Sequence, residues 1–254
     1  MELKIDTYLE IIKDAGACLM EYQEKGFEVE KKGSAGPVTD ADLAANDILK
    51  KLSAELPGSW YISEESHFDP ARLDSQYTWI IDPMDGTREF VERIPEFAVS
   101  VALVRSQSII FSAVYNPNDC LIYQVEKELH SIEDNQDLMR STNDQICISR
   151  SELDKGLFEN FSTLNLRPVG SIAYKLALVA IGRFEGVISL RPKNEWDIAG
   201  GVGLIQASKK IACDILGRKF QWNRMHKLEG VLAGSENFVK GALTDFNLYE
   251  VFKA

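Results

Sequence analysis

The stretch Trp79–Phe90, WIIDPMDGTREF, constrains this chain more than any other. Trp79, Ile80 and Ile81 read as a buried strand that ends in Asp82. A second acid, Asp85, follows three residues later, and Gly86 and Thr87 come next. Two other strand ends carry acids in the same way. Glu64 and Glu65 follow the strand WYIS, and Asp197 follows Trp196 just before a helix. Acids placed at strand ends gather at a sheet edge, where sites are assembled, so Glu64, Asp82, Asp85 and Asp197 can converge. Carboxylates held together repel one another unless they are protonated or matched by cations. Oxygen ligands of this kind select Mg²⁺, Mn²⁺ or Ca²⁺ over zinc or copper. Two such ions about 3.5–4 Å apart clamp a phosphoryl group and activate water for in-line attack. Gly86 lets the backbone approach a ligand closely, and Thr87 at a helix start offers its N–H to phosphate oxygens. Taken singly, Asp82 and Asp85 could cap a turn, Glu64 and Glu65 could be solvated surface, and Asp197 could be a helix N-cap. It is their combination that points to a metal site joined to a phosphate cradle.

The rest of the chain is consistent with a mixed α and β protein whose helices pack on sheets in layers. Residues 4–24 place Ile5, Leu9, Ile12, Ala15, Leu19 and Tyr22 at helical spacing. DADLAANDILKKLSAELP reads as a second amphipathic helix closed by Pro57 and Gly58. FAVSVALVRSQSIIFSAVYNP and CLIYQVEKE read as successive strands. A polar stretch near residues 130–145 marks a boundary between a first sub-domain (1–140), with most of the acids, and a second (141–254), with Asp197. Beyond it QICISR, LRPVG and GVISL read as strands, while SIAYKLALVAIGRFEG and EWDIAGGVGLIQASKK read as helices. The net charge of −11 argues against nonspecific nucleic-acid binding but not against a small anionic substrate, because a bound divalent cation inverts the local field. No apolar run approaches the roughly 20 residues of a membrane helix, and the N-terminus lacks a signal-peptide pattern, so a cytoplasmic protein is expected. The four cysteines form no CxxC pair, and the three histidines show no ligand spacing.

WIIDPMDGT together with EWDIAGG, SEES and PVTDAD resembles, in order and across most of the chain, the lithium-sensitive, Mg²⁺-dependent inositol monophosphatase superfamily. The resemblance implies a layered αβαβα sandwich and phosphomonoester hydrolysis. It implies two or three Mg²⁺ ions, with Mn²⁺ as a substitute and Li⁺ and Ca²⁺ as inhibitors. The implied metal ligands are Glu64, Asp82, Asp85, Asp197 and the backbone carbonyl of Met84. Thr87, paired with Asp42, would orient and deprotonate the attacking water, with Glu65 supporting the water-bearing shell. Asp42 rather than Asp40 comes from the family pattern alone. A homodimer is also an expectation from the family.

Several blocks lean toward the 3′(2′),5′-bisphosphate nucleotidase branch, whose CysQ-type enzymes remove the 3′-phosphate of adenosine 3′,5′-bisphosphate. PVTDADLAAND resembles that branch's PVTAADIAAH, DGTREF its DGTKEF, and GSIAYKLALVA its GSSLKFCLVA; Glu195 matches its EWD. This likeness implies substrate contacts at Lys32, Gly170, Ser171, Lys175 and Glu195 beside Gly86 and Thr87. A second phosphate needs its own cation, which Lys175 or Arg191 could supply; the blander and less favoured reading of Lys175 is a solvated helix face. Inositol phosphatases carry an acid seven residues before the final Asp; here that place is Leu190. That substitution disfavours inositol phosphate and leaves it, with fructose 1,6-bisphosphate, as the alternative substrate. QASKK replaces the family's EAGG turn, and the basic, aromatic stretch RKFQWNRMHK (218–227) reads as a surface loop.

Overall fold

The structure, a computed structural model, describes residues 3–31, 37–65, 69–132, 144–161, 163–224 and 227–245. Helix α1 (Ile5–Lys25) buries Leu9, Ile12, Ala15 and Leu19, the stripe expected from their spacing. Short strands β1 (Val29–Lys31) and β2 (Pro37–Thr39) pair antiparallel and lead into α2 (Asp40–Leu49). Thr39 caps α2 and Asp42 closes the reciprocal capping box. α3 (Lys51–Glu55) continues almost in line, since Lys50 at the junction keeps helical backbone angles.

A first sheet runs in the order β3 (Trp60–Ser63), β4 (Tyr77–Asp85), β5 (Ala98–Arg105), β6 (Ser108–Asn116), β7 (Cys120–Val125), β8 (Glu128–Ile132). β3 and β4 are parallel, and the others form an antiparallel meander. Helix α4 (Thr87–Val91) lies between β4 and β5 in sequence. A second sheet is built from β9 (Ile146–Ser149), β10 (Leu166–Val169), β11 (Gly186–Ser189), β12 (Ile211–Cys213) and β13 (Val231–Gly234), in the order β10-β9-β11-β13-β12. The short α5 (Arg150–Leu153) leaves the end of β9. Helices α6 (Ile172–Ala180) and α7 (Glu195–Ala207) fill the space between the sheets, and α8 (Glu236–Asp245) packs outside the second.

The layers therefore run α1/α2, sheet, α6/α7, sheet, α8: the αβαβα sandwich. Three apolar clusters hold them. β4 shows why its sequence is an unbroken apolar run: Trp79 and Ile81 face α1 and α2, while Ile80 faces α6 and α7. The proposed sub-domain boundary at residue 140 lies outside the described residues. QASKK ends α7 at Ala207, and Lys209 takes the left-handed angle (φ 61°) at this turn.

Two features of this frame position the site. α7 lies very close across the first sheet. A Cβ on Gly200 would stand 2.5 Å from Ser100 Oγ, and one on Gly203 would stand 2.3 Å from Ser112 Oγ. This close approach brings the first turn of α7, with Asp197, to the end of β4. The second feature is an irregularity in the β4–β5 register between Asp82 and Asp85. Strand side chains alternate with period two, so residues three apart would point to opposite faces; the irregularity turns both aspartates to one side. β4 accordingly runs on to Asp85, where the sequence reading ended the strand at Asp82.

Candidate metal and phosphate site

Glu64, Asp82, Met84, Asp85, Gly86, Thr87 and Asp197 line one cleft of about 440 Å³. It opens where the end of β4, the start of α4 and the first turns of α6 and α7 meet. Asp82 is 2 % exposed. Its Oδ1 accepts the N–H of Met84 at 3.0 Å. Asp85 Oδ2 accepts from Ser171 Oγ and from the N–H of Ala173, each at 2.6 Å. Asp197 Oδ2 accepts the N–H of Asn194 at 2.7 Å. Asp197 is thus the third residue of α7, and Asn194 is the N-cap; it does not precede the helix, as the sequence suggested. Glu64 stands at the exposed rim.

Asp82 and Asp85 each tie one oxygen to the protein and leave the other without a hydrogen bond among the described residues, while Asp197 is held by both the backbone and the side chain of Asn194. All three carboxyls are raised above their ordinary range. Burial is the main cause for each; neighbouring carboxylates add to it at Asp82 and Asp197, whereas at Asp85 the Ser171 and Ala173 hydrogen bonds and the charges of Lys175 and Lys193 oppose it. Asp197 is pushed up to about 6. Among the described residues no three His, Cys, Asp or Glu side chains converge on one point as they stand. A hard cation here would take carboxylate oxygens in ones and twos and complete its shell with a carbonyl and water or substrate oxygens. The unbonded oxygens of buried Asp82 and half-buried Asp85 and the Met84 carbonyl beside them fit Mg²⁺ in that manner.

Beside the aspartates, Thr87 Oγ1 donates toward Asp42 Oδ1 and toward the Met84 carbonyl, both at 3.2 Å. The second oxygen of Asp42 accepts the N–H and the hydroxyl of Thr39, each at 2.7 Å. Burial raises the Asp42 carboxyl to about 6 against the lowering effect of these hydrogen bonds. Asp40, the alternative acid, instead accepts the N–H of Glu28 away from Thr87. Gly86 adopts φ 98°, and a Cβ there would lie 3.0 Å from the carbonyl oxygen of Glu96. Only glycine adopts that turn without strain, and it leads directly into the free N–H groups of the first turn of α4.

Of the other predicted residues, Gly170, Ser171 and Lys175 also line the cleft, and Glu65, Glu195 and Arg191 do not. Glu65 does not line the cleft, although its charge is felt by Asp42. Glu195 is 4 % exposed and faces away from the cleft. Its oxygens accept the backbone N–H groups of Asn223 and Arg224, with Arg72 3.8 Å away, so it anchors a loop rather than a substrate. Lys175 is not on a solvated face. It is 2 % exposed, and its Nζ donates to the carbonyls of Val169 (2.8 Å) and Gly170 (3.2 Å) under the cleft wall. The Gly170 N–H is occupied by Glu96 Oε2 at 2.7 Å, which leaves it nothing to offer a phosphate. Ser171 holds Asp85 and also caps α6, accepting the N–H of Tyr174 at 3.0 Å. Arg191 is exposed and outside the cleft lining. Lys32 lies outside the described residues. In the 218–227 stretch, where 225 and 226 are outside the described residues, Trp222 is a core residue rather than part of a surface loop. Lys155 and Lys193, which line the cleft, were missed. Neither sits in a recognisable motif, and only the fold brings them to the aspartates.

The sequence profile of the inositol monophosphatase family matches residues 4–246. An inositol-1-monophosphatase of Mesorhizobium japonicum is 32% identical over 208 residues, covering 76% of this chain and 77% of that protein. The 3′(2′),5′-bisphosphate nucleotidase CysQ of Escherichia coli (strain K12) is 29% identical over 235 residues, covering 86% and 93%. Among solved structures, the extragenic suppressor protein suhB from Bartonella henselae superposes with a TM-score of 0.79 at 26% identity, covering 98% of both chains. CysQ from Bacteroides thetaiotaomicron shares the fold with a TM-score of 0.72 at 22% identity, covering 90% of this chain and 95% of that one.

Proposed function

This chain belongs to the inositol monophosphatase family and is a phosphatase acting on small phosphorylated substrates, and from that premise we propose that it removes the 3′-phosphate of adenosine 3′,5′-bisphosphate in a Mg²⁺-dependent reaction. The observation that carries the hydrolytic part is the Thr87–Asp42 hydrogen bond set beside three aspartates in one cleft. Glu64, Asp82, Asp85, Asp197 and the Met84 carbonyl would hold the ions. When bound, Mg²⁺ supplies Lewis acidity toward the phosphoryl oxygens and lowers the pKa of a water.

The chain's own residues do the rest. Gly86 and Thr87 present backbone N–H groups to the phosphoryl oxygens. Thr87 Oγ1, which has Asp42 and the Met84 carbonyl as acceptors for its one proton, has lone pairs with which to orient a water for in-line attack. Asp42, with a carboxyl near 6, is mostly ionised at neutral pH and accepts the proton relayed through Thr87. Ser171 and the N–H of Ala173 keep the Asp85 carboxylate in one orientation.

The substrate assignment rests on Leu190. It stands where inositol phosphatases carry an acid for sugar hydroxyls; here the residue is apolar, 2 % exposed and turned into the core outside the second sheet. Hydrolysis of an inositol monophosphate is the second reading, favoured by the 32% identity to the Mesorhizobium enzyme. Phosphate release from adenosine 3′,5′-bisphosphate, inositol 1-phosphate, fructose 1,6-bisphosphate and AMP, with Mg²⁺ and with added Li⁺, separates them. A kcat/KM for the bisphosphate nucleotide well above the others, suppressed by Li⁺, supports the nucleotidase reading. A preference for inositol 1-phosphate overturns it.

A further inference from the structure

We infer that Lys155 and Lys193, with the Ser151 hydroxyl, form a subsite for a second anionic group on the substrate; this rests on the phosphatase reading above. The cleft has two chemically different parts. The end of β4 contributes Asp82 and Asp85, while the segments after β9 and β11 in the second sheet contribute Ser149, Ser151, Lys155 and Lys193.

Four basic side chains line the cleft, and two are already committed. Arg88 is paired with Glu92 at 3.0 Å and with Asp154 at 3.3 Å. Lys175 is held by two backbone carbonyls. Lys155 is exposed, and its ammonium pairs with no carboxylate among the described residues. Lys193 is different again. Its Nζ lies 3.4 Å from Glu152 Oε1, the longest of that carboxylate's contacts. Glu152 is buried and also accepts Ser189 Oγ (2.8 Å), the Leu190 N–H (3.0 Å) and the Arg191 N–H (3.1 Å). A carboxylate shared among so many donors orients Lys193 without saturating its three N–H groups. The Ser151 hydroxyl lies 3.1 Å from Ser149 Oγ; either can donate to the other, so one proton of the pair stays available to a ligand. Two available ammonium groups and a hydroxyl in a cleft whose other end is acidic make a site for an anion that is not the one being hydrolysed.

The alternative is that these lysines only offset the aspartates. That role would act alike on every substrate, so the informative quantity is a ratio. We would measure kcat/KM for adenosine 3′,5′-bisphosphate and for adenosine 3′-monophosphate, which differ only by the second phosphate, and compare the unsubstituted chain with Lys155→Ala, Lys193→Gln and Lys155→Arg. The bisphosphate-to-monophosphate ratio should fall about tenfold in each neutralised variant, the scale of one charge-assisted contact. Lys155→Arg, which keeps the charge, should hold the ratio within about threefold. An unchanged ratio in both neutralised variants overturns the subsite. If the unsubstituted chain hydrolyses neither nucleotide, the nucleotidase reading fails separately, and the subsite is then read by equilibrium binding of adenosine 5′-monophosphate. Binding weakened about tenfold by Lys155→Ala supports it. Equal affinity, or no binding by the unsubstituted chain, overturns it.

Discussion

Ser171 does two jobs with one oxygen, and substitution can separate them. Its Oγ donates to half-buried Asp85 at 2.6 Å and accepts the N–H of Tyr174 as the cap of α6. Its backbone has φ 48°, a region that side chains rarely adopt. Ser171→Ala removes the cap, worth about 1 kcal/mol, and a hydrogen bond to a charged group, worth about 1.5–3 kcal/mol, while keeping the backbone strain. The expected loss of stability is therefore about 2–4 kcal/mol, lowered toward 2 because Ala173 still holds Asp85. Ser171→Gly loses the same oxygen but relieves the strain, worth about 1–3 kcal/mol, and a glycine cap costs only a few tenths. The glycine variant should thus be more stable than the alanine variant by at least about 1 kcal/mol. Activity should not follow stability: both variants remove one of the two donors to the same Asp85 oxygen, so both should lose kcat/KM to a similar extent, about tenfold. Urea denaturation midpoints together with phosphate-release kinetics decide the matter. A glycine variant with full activity, or an alanine variant as stable as the unsubstituted chain, would refute the reasoning.

Three further outcomes are expected. kcat/KM should rise about tenfold per pH unit below about 6 and level off above it, because Asp42 acts in its ionised form and its carboxyl sits near 6; a pH profile whose acid limb survives in Asp42→Asn would remove Asp42 from the role of base. Glu195→Ala should lower stability by about 3–5 kcal/mol, since it removes the buried counter-charge beside Arg72 and the acceptor of two backbone N–H groups; a midpoint in denaturant that does not move, with KM raised instead, would restore Glu195 to substrate binding. Gly86→Ala should cost about 1–3 kcal/mol and most of the activity, because it forces a left-handed angle and a contact with the Glu96 carbonyl; unaltered kinetics would show that the cradle needs no glycine.

The acids at strand ends were legible in sequence because their chemistry is local: each ends an apolar run or opens a helix. What the sequence reading could not reach is set by contacts between distant segments. The register irregularity in β4 decides that Asp82 and Asp85 share a face, and no residue pattern announces it, although Pro83 between them offers no N–H to the ladder. Glu195 and Lys175 lie in recognisable blocks, yet one is bound to a loop 28 residues further on and the other to carbonyls under the cleft. A motif reports that a residue type matters at a place; it does not report which way the side chain points. Asp42 shows the opposite case. Chemistry alone did not separate it from Asp40, and the capping box that turns one of its oxygens toward Thr39 leaves the other for Thr87. Lys155 and Lys193 belong to no pattern and meet the aspartates only because the two sheets sandwich α6 and α7.

The most direct test of the metal-assisted reading is phosphate release from adenosine 3′,5′-bisphosphate by the unsubstituted chain and by Asp85→Asn, each after chelation and again after Mg²⁺ is restored, with circular dichroism to confirm the fold. Release by the unsubstituted chain should vanish on chelation and return with Mg²⁺, while Asp85→Asn stays folded and inactive throughout. Turnover that persists after chelation, or that Asp85→Asn retains, would contradict the assignment of the aspartate cleft as a Mg²⁺-dependent phosphatase centre.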